Sequence, residues 1–180
     1  MRALIVGTLA AGLVLPSALG AQSEPVMPST LAAGLLARFD ESTTKLLQLA
    51  RAIPADKYDW SPTAGVRTVR HVLVHTAMGN YYTAEDAGVP RPTDLPRDPE
   101  RVIAGKDTVI AFVERSKQHL RAALERLNDA DLQRPTTMFG QKTTYGNVYL
   151  FGIGHVHEHL GQLIAYARSA GIVPPWSTAH

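Results

Sequence analysis

Cysteine is absent from all 180 residues. Disulfides, thiolate nucleophiles, zinc-finger ligation and lipoprotein acylation are thereby excluded together, since each needs a thiol. An excess of either charge is missing too: 18 Lys and Arg face 16 Asp and Glu, a formal +2 with His neutral. No concentrated basic patch accompanies that balance, so no nucleic-acid partner is expected. The longest uncharged apolar run, Ala3 to Leu15, falls short of the ~20 residues of a spanning helix. Strand-like alternation never lasts more than four residues, and no repeat or low-complexity tract appears. What remains is a chain that is 45% hydrophobic with seven histidines. A packed core is within reach, and any nucleophile, base or metal ligand must come from His, Asp, Glu, Tyr, Ser, Thr or Lys.

Arg2, the apolar run behind it, and Pro16, Ser17, Ala18 and Gly20 have the pattern of a secretory signal peptide cleaved after Gly20 or Ala21. Residues 1–21 are therefore expected to be a targeting segment, and residues 22–180 an exported domain without a membrane span. The rest divides into four helical segments. The first runs from about Ser29 to Ala52 and stops at Pro54; Leu31, Leu35, Leu36, Phe39, Leu46, Leu47 and Leu49 recur at the helical period. The second spans about Thr68 to Ala87, ended by Gly88 and a proline-rich loop. The third covers about Glu100 to Leu127. A long connection, Asp129 to Thr144, leads to the fourth, about Tyr145 to Ala170, which Gly171 closes. The expected fold class is all-α, a single antiparallel four-helix bundle with long connections.

The fourth segment carries the sequence Gly154-His155-Val156-His157-Glu158-His159-Leu160-Gly161-Gln162-Leu163. At ~100° per residue, His155 and His159 lie one turn apart on the same face, where both rings can reach one metal ion. Val148 and Phe151 precede them on that face, and Gln162 and Tyr166 follow. A buried polar stripe of this kind needs partners, and a cation would supply one. His157 points the other way, with Ile153, Leu160 and Ile164. That second apolar strip makes the helix either the most enclosed of the four or the interface of a homodimer.

The second segment holds another such pair, His71 and His75. The phase of its apolar residues turns His75 inward slightly better than His71, and Gly79 and Tyr82 share the His75 side. Three imidazoles from two helices, with a position left over, form a familiar open metal site. Imidazole suits zinc, nickel, copper and iron alike, so the ion is not chosen by ligand type. Glu158 reads as a solvated surface residue, and His119 and His180 as solvated histidines.

Three segments resemble the DinB/YfiT-like family of metal-binding four-helix bundles. They are Ile53 to Pro62, similar to that family's inter-helix linker; Val66 to Ala77, with His75 at the position of its helix-two histidine; and His155 to Leu163, similar to its H-x-x-x-H-x-G-Q pattern. The resemblance implies a divalent metal ion held by His75, His155 and His159, and prefers His75 to His71. It also implies frequent homodimers, and activities that include thiol-dependent transfer with a low-molecular-weight thiol. The expected export, and the lack of clustered Arg and Lys near the histidines, depart from the transferase pattern.

The functional expectation is a metal-dependent hydrolase or thiol-dependent transferase with an open coordination position. Gln162, Tyr166 and Tyr82 are the supporting candidates near the metal. The alternative is a non-catalytic binder whose metal is structural or sequestered; a structural zinc site normally has four protein ligands, and only three are evident.

Overall fold

The computed structural model describes residues 28–177; the expected signal peptide and His180 lie outside them. Four long helices, α1 (Leu31–Ala52), α2 (Val69–Asp86), α4 (Lys106–Leu124) and α5 (Tyr145–Ser169), form the bundle, with a one-turn helix α3 (Pro99–Val102) between α2 and α4. Caps mark their ends. The Thr30 hydroxyl accepts from Ala33 N–H, and Thr68 does the same for His71 N–H. The carboxylate of Asp129, just past α4, takes the free N–H groups of Leu31 and Ala32 at 3.3 and 2.8 Å, pinning the end of α4 to the start of α1.

Each of α1 and α2 packs against both α4 and α5, so the first pair lies on one diagonal of the bundle and the second pair on the other. Polar and core contacts give the directions. Arg121 binds Asp40 at 2.9 Å, Lys117 reaches Thr44, and Arg51 pairs with Glu114; α1 and α4 are antiparallel. Val69 and Leu73 at the start of α2 share one core cluster with Val109 and Val113 at the start of α4, and Ala84 shares the other with Leu120 and Leu124, so α2 and α4 are parallel. The order is up-down-down-up, which corrects the expectation of a uniformly antiparallel bundle. Diagonal neighbours need long connections, and two helices of the same direction need a crossover running the length of the bundle. Residues 87–105 make that crossover, tied to the bundle by Arg91 with Glu85 and Asp94 with Arg115.

Two boundaries differ from the periodicity reading. The third segment does not start at Glu100: Ile103 is extended and Gly105 takes φ +79°, so the helix restarts at Lys106. The Asp129–Thr144 connection contains an antiparallel hairpin, β1 (Pro135–Met138) and β2 (Gln141–Thr144), which corrects the all-α expectation. Its two-residue turn, Phe139-Gly140, has φ values of 51° and 76°, the doubly left-handed turn that matches strand twist. The Thr136 hydroxyl fastens the hairpin to α2 by donating to the Asp86 carbonyl at 2.6 Å.

The core has two storeys. Near the end where α2 and α4 begin, Leu46, Leu49, Leu73, Val113, Leu160 and Leu163 cluster; near the other end, Phe39, Leu120, Leu124, Leu132, Val148 and Tyr149 do. The strip Ile153, Leu160 and Ile164 is spent inside these clusters: the first two are 6% exposed, and Ile164 packs partly buried against the first storey. The apolar argument for a homodimer is thereby removed. Among the described residues, no helix is long and apolar enough to cross a membrane.

Candidate metal centre

Between α2 and α5 a side chain at position 79 would fill the space that an imidazole needs. A Cβ there would stand 2.5 Å from Cε1 and Nδ1 of His155. Gly79 therefore makes room for the ring of the facing helix, rather than for His75 on its own helix. One turn on, Gly152 of α5 lets the Thr83 side chain of α2 sit where its own Cβ would be. The reciprocal glycines bring the helices close enough for their histidines to meet.

His75, His155 and His159 converge in this gap. Nε2 of His155 lies 3.2 Å from Nε2 of His75 and 3.1 Å from Nε2 of His159, and one ligand atom from each ring falls within 4.8 Å of the others. Three imidazole nitrogens bound at ~2.05 Å around a tetrahedral ion would be about 3.3 Å apart, close to these separations. His71 is elsewhere, its Nδ1 3.1 Å from the Thr68 hydroxyl. His157 and Glu158 are exposed, and His157 donates from Nδ1 to the Ile153 carbonyl at 3.0 Å.

The far sides of the rings fix their tautomers. His159 donates from Nδ1 to Gln162 Oε1 at 2.8 Å, and Gln162 Nε2 donates to the Tyr166 hydroxyl at 3.0 Å. Nδ1 of His75 faces Glu100 Oε1 at 3.3 Å. With Nδ1 protonated on both rings, both Nε2 lone pairs face the cluster. Nε2 of His155 can satisfy one of them at most, and its own Nδ1 is buried without a partner among the described residues. A neutral triad leaves lone pairs opposed; a cation at their common point removes the conflict. The donor set fits a divalent ion, with His75, His155 and His159 as the residues able to hold it.

The electrostatics favour the unprotonated rings that a metal requires. Burial first, then the neighbouring His159 and His75, push His155 down to about 4. His75 is lowered by burial and by Arg67, against an upward pull from Glu100.

The other sequence candidates fall into distinct places. Gln162 and Tyr166 form the relay behind His159, and Tyr166 is buried against the edge of Trp60, ring centroids 6.1 Å apart. Tyr82 is 49% exposed and covered by the Arg91 guanidinium at 4.7 Å; it lines a cleft rather than touching a histidine. His119, expected to be solvated, has its Nε2 sealed between α2 and α4. Glu100 was not among the candidates. It arrives on the crossover, 25 residues after His75, and no spacing rule connects the two.

A cleft of about 330 Å³ opens on His75 and His155, walled by Met78, Tyr82, Thr83, Asp86, Met138, Phe139 and Phe151. Phe151 stacks on His155 with planes 19° apart and ring centroids 6.4 Å apart.

A DinB superfamily model matches residues 38–163, a stretch holding all three histidines, Glu100 and Gln162. Several solved structures are similar in fold. A DinB-like protein from Bacillus cereus ATCC 10987 is 18% identical with a TM-score of 0.69, covering 84% of this chain and 100% of that one. The DinB-like protein YjoA from Bacillus subtilis is 19% identical, TM-score 0.63, over 81% and 99%. YfiT from Bacillus subtilis, a probable metal-dependent hydrolase with an unusual four-helix bundle topology, is 19% identical, TM-score 0.61, over 83% and 94%. At these identities the likeness concerns the fold. No curated protein sequence matches the chain.

Proposed function

The chain belongs to the DinB superfamily, and from that premise we propose that it is a metal-dependent hydrolase working outside the cytoplasm. The observation that carries this reading is the meeting of three Nε2 atoms at one point beside a cleft large enough for a small organic substrate. A divalent ion held there would supply Lewis acidity, polarising a carbonyl and acidifying water.

The remaining work belongs to the protein's own side chains. Glu100 and Gln162 hold the outer nitrogens of His75 and His159, so that their inner lone pairs stay aimed at one point. Tyr166 steadies Gln162 by accepting from its amide. Arg67 in turn braces Glu100, with its Nε 3.3 Å from Oε2. Phe151, Met78 and Phe139 keep the approach apolar, which strengthens any polar interaction made inside it.

Hydrolysis is preferred to thiol transfer because, among the described residues, no Lys or Arg lines the cleft, whereas the carboxylates of a thiol cofactor would call for cations. Catalysis is preferred to a structural rivet because three ligands among the described residues, beside an open cleft, leave a coordination position free. The proposal of export rests on Arg2 and the apolar run Ala3 to Leu15.

The test is metal analysis of the purified protein, followed by turnover on a panel of activated esters and amides, for the parent and His159→Ala. The reading expects about one divalent ion per chain, turnover abolished by chelation and restored by metal, and a folded but inactive variant. A metal-free parent would overturn it. So would a His159→Ala variant with parental turnover.

A further inference from the structure

The cleft beside the histidines has a polarity pattern that neither metal binding nor hydrolysis requires. Along α2, His75, Gly79, Tyr82 and Asp86 recur at steps of four, three and four, with Thr83 beside Tyr82, so one helix face forms its floor. The histidines stand at one end and Asp86 at the other, with Met78, Met138, Phe139 and Phe151 between.

Among the described residues, the Asp86 carboxylate has no hydrogen-bond or ion-pair partner. The Thr136 hydroxyl reaches its backbone carbonyl, not its carboxylate. Arg91 pairs by charge with Glu85, its Nε 2.9 Å from Oε2 without hydrogen-bond geometry, and its guanidinium lies over the face of Tyr82. Partial burial and the neighbouring Glu85 charge raise the Asp86 pKa, against a weaker pull from Arg91. The carboxylate thus stands at the edge of an apolar cleft with no cation, among the described residues, in ion-pair contact with it.

The hairpin tip gives the second observation. Phe139 occupies the left-handed region at φ 51°, where a bulky residue is strained, and the residue is 77% exposed. Strain and exposure of a large apolar side chain are both unfavourable for folding. The ring lies at the cleft mouth, edge-on to Phe151 at 5.3 Å, which in turn stacks on His155. The hairpin holds an apolar lip over the route from Asp86 to the histidines.

We propose that the cleft selects substrates in which an apolar chain separates the reacting carbonyl from a basic nitrogen: the carbonyl at the histidines, the chain beneath Phe139, and the ammonium on Asp86. This deepens the hydrolase reading and rests on it. From the histidine level at residues 75 to 79 up to residue 86 is roughly 10 to 16 Å of helix rise, the reach of an extended chain of medium length.

Hydroxamates, which bind metals as carbonyl mimics, separate the parts. The probes for calorimetry on the zinc-loaded full chain are acetohydroxamate, octanohydroxamate, 8-aminooctanohydroxamate and suberic acid monohydroxamate. Octanohydroxamate is expected to bind at least about tenfold more tightly than acetohydroxamate. The amino-terminated probe should gain about a further fivefold, and the carboxylate-terminated one should bind more weakly than octanohydroxamate. Asp86→Asn should erase the amino preference while leaving octanohydroxamate within about twofold of parent. Phe139→Ala should reduce the gain from the octyl chain. Equal affinity of the amino and octano probes in the parent would overturn the proposal, as would a preference that survives in Asp86→Asn. Failure of acetohydroxamate to bind at all would remove the open coordination position, and the hydrolase reading with it.

Discussion

Two seams of α2 bury polar side chains, and only one of them gathers ligand atoms around a common point. Against α5, His75 meets His155 and His159. Against α4, Asn80 donates to the Ser116 hydroxyl at 3.1 Å, while Asn80 Oδ1, the Tyr81 hydroxyl and His119 Nε2 are sealed without partners among the described residues. Tyr81 and His119 are neighbours, ring centroids 5.3 Å apart and tilted by 52°. Burial lowers the His119 pKa, as it lowers that of His75 and His155. Burial and a depressed pKa are thus common to both seams. The α5 seam alone has several lone pairs aimed at one point, outer partners that fix their tautomers, and a cleft leading in. It is also the seam that two glycines draw close.

The sharpest way to break this contrast is to remove the central ring. His155→Ala should weaken zinc binding by at least about 100-fold in a competition titration with a chelator, because a three-ligand site becomes a two-ligand one. Gly79→Ala attacks the same ring indirectly. Its Cβ must displace the imidazole, and overpacking of this kind costs about 1–3 kcal/mol. Zinc affinity should fall by about 10- to 100-fold, with a lower melting temperature in the metal-free protein.

Acid should act on the α5 seam with a definite sign. His155 titrates near 4 when folded and near 6.5 when unfolded. Between these values the unfolded chain binds more protons, so the ring's contribution is fully present above about 6.5 and is lost as pH falls through about 4. Allowing for its partial exposure, roughly 2 kcal/mol of metal-free stability is at stake. Urea unfolding at pH 7 and 4.5, parent against His155→Gln, isolates that share from the carboxylates.

Smaller effects sharpen the comparison. Glu100→Gln keeps the shape but weakens the grip on His75, and should cost about tenfold in zinc affinity. His119→Leu should leave zinc affinity unchanged and stability within about 1 kcal/mol, since it replaces a sealed, unpartnered nitrogen with apolar atoms. A loss of zinc on that substitution would show that the two seams are not independent.

Much of this was legible from the residues. The spacing of His155 and His159, and of the Leu and Val positions around them, is local, and the helical period alone puts them on one face. The choice of His75 over His71 had a modest margin in helical phase and was decided by resemblance to a family. What escaped reading depends on contacts across the chain. Glu100 reaches His75 only because parallel α2 and α4 demand a crossover, and nothing local announces that direction. The hairpin escaped because its strands are four residues each, and its turn uses Phe-Gly rather than a typical Asn-Gly. Ile153, Leu160 and Ile164 left an enclosed helix and a dimer face equally open, because only the packing of α5 against both α1 and α2 tells the two apart.

Diffraction from crystals of the zinc-loaded protein, recorded on both sides of the zinc absorption edge, tests the metal centre most directly. One anomalous peak about 2.1 Å from Nε2 of His75, His155 and His159, with its remaining coordination turned toward the cleft, is the expected result. A zinc ion bound elsewhere, or three rings packed together with no density between them, would contradict it.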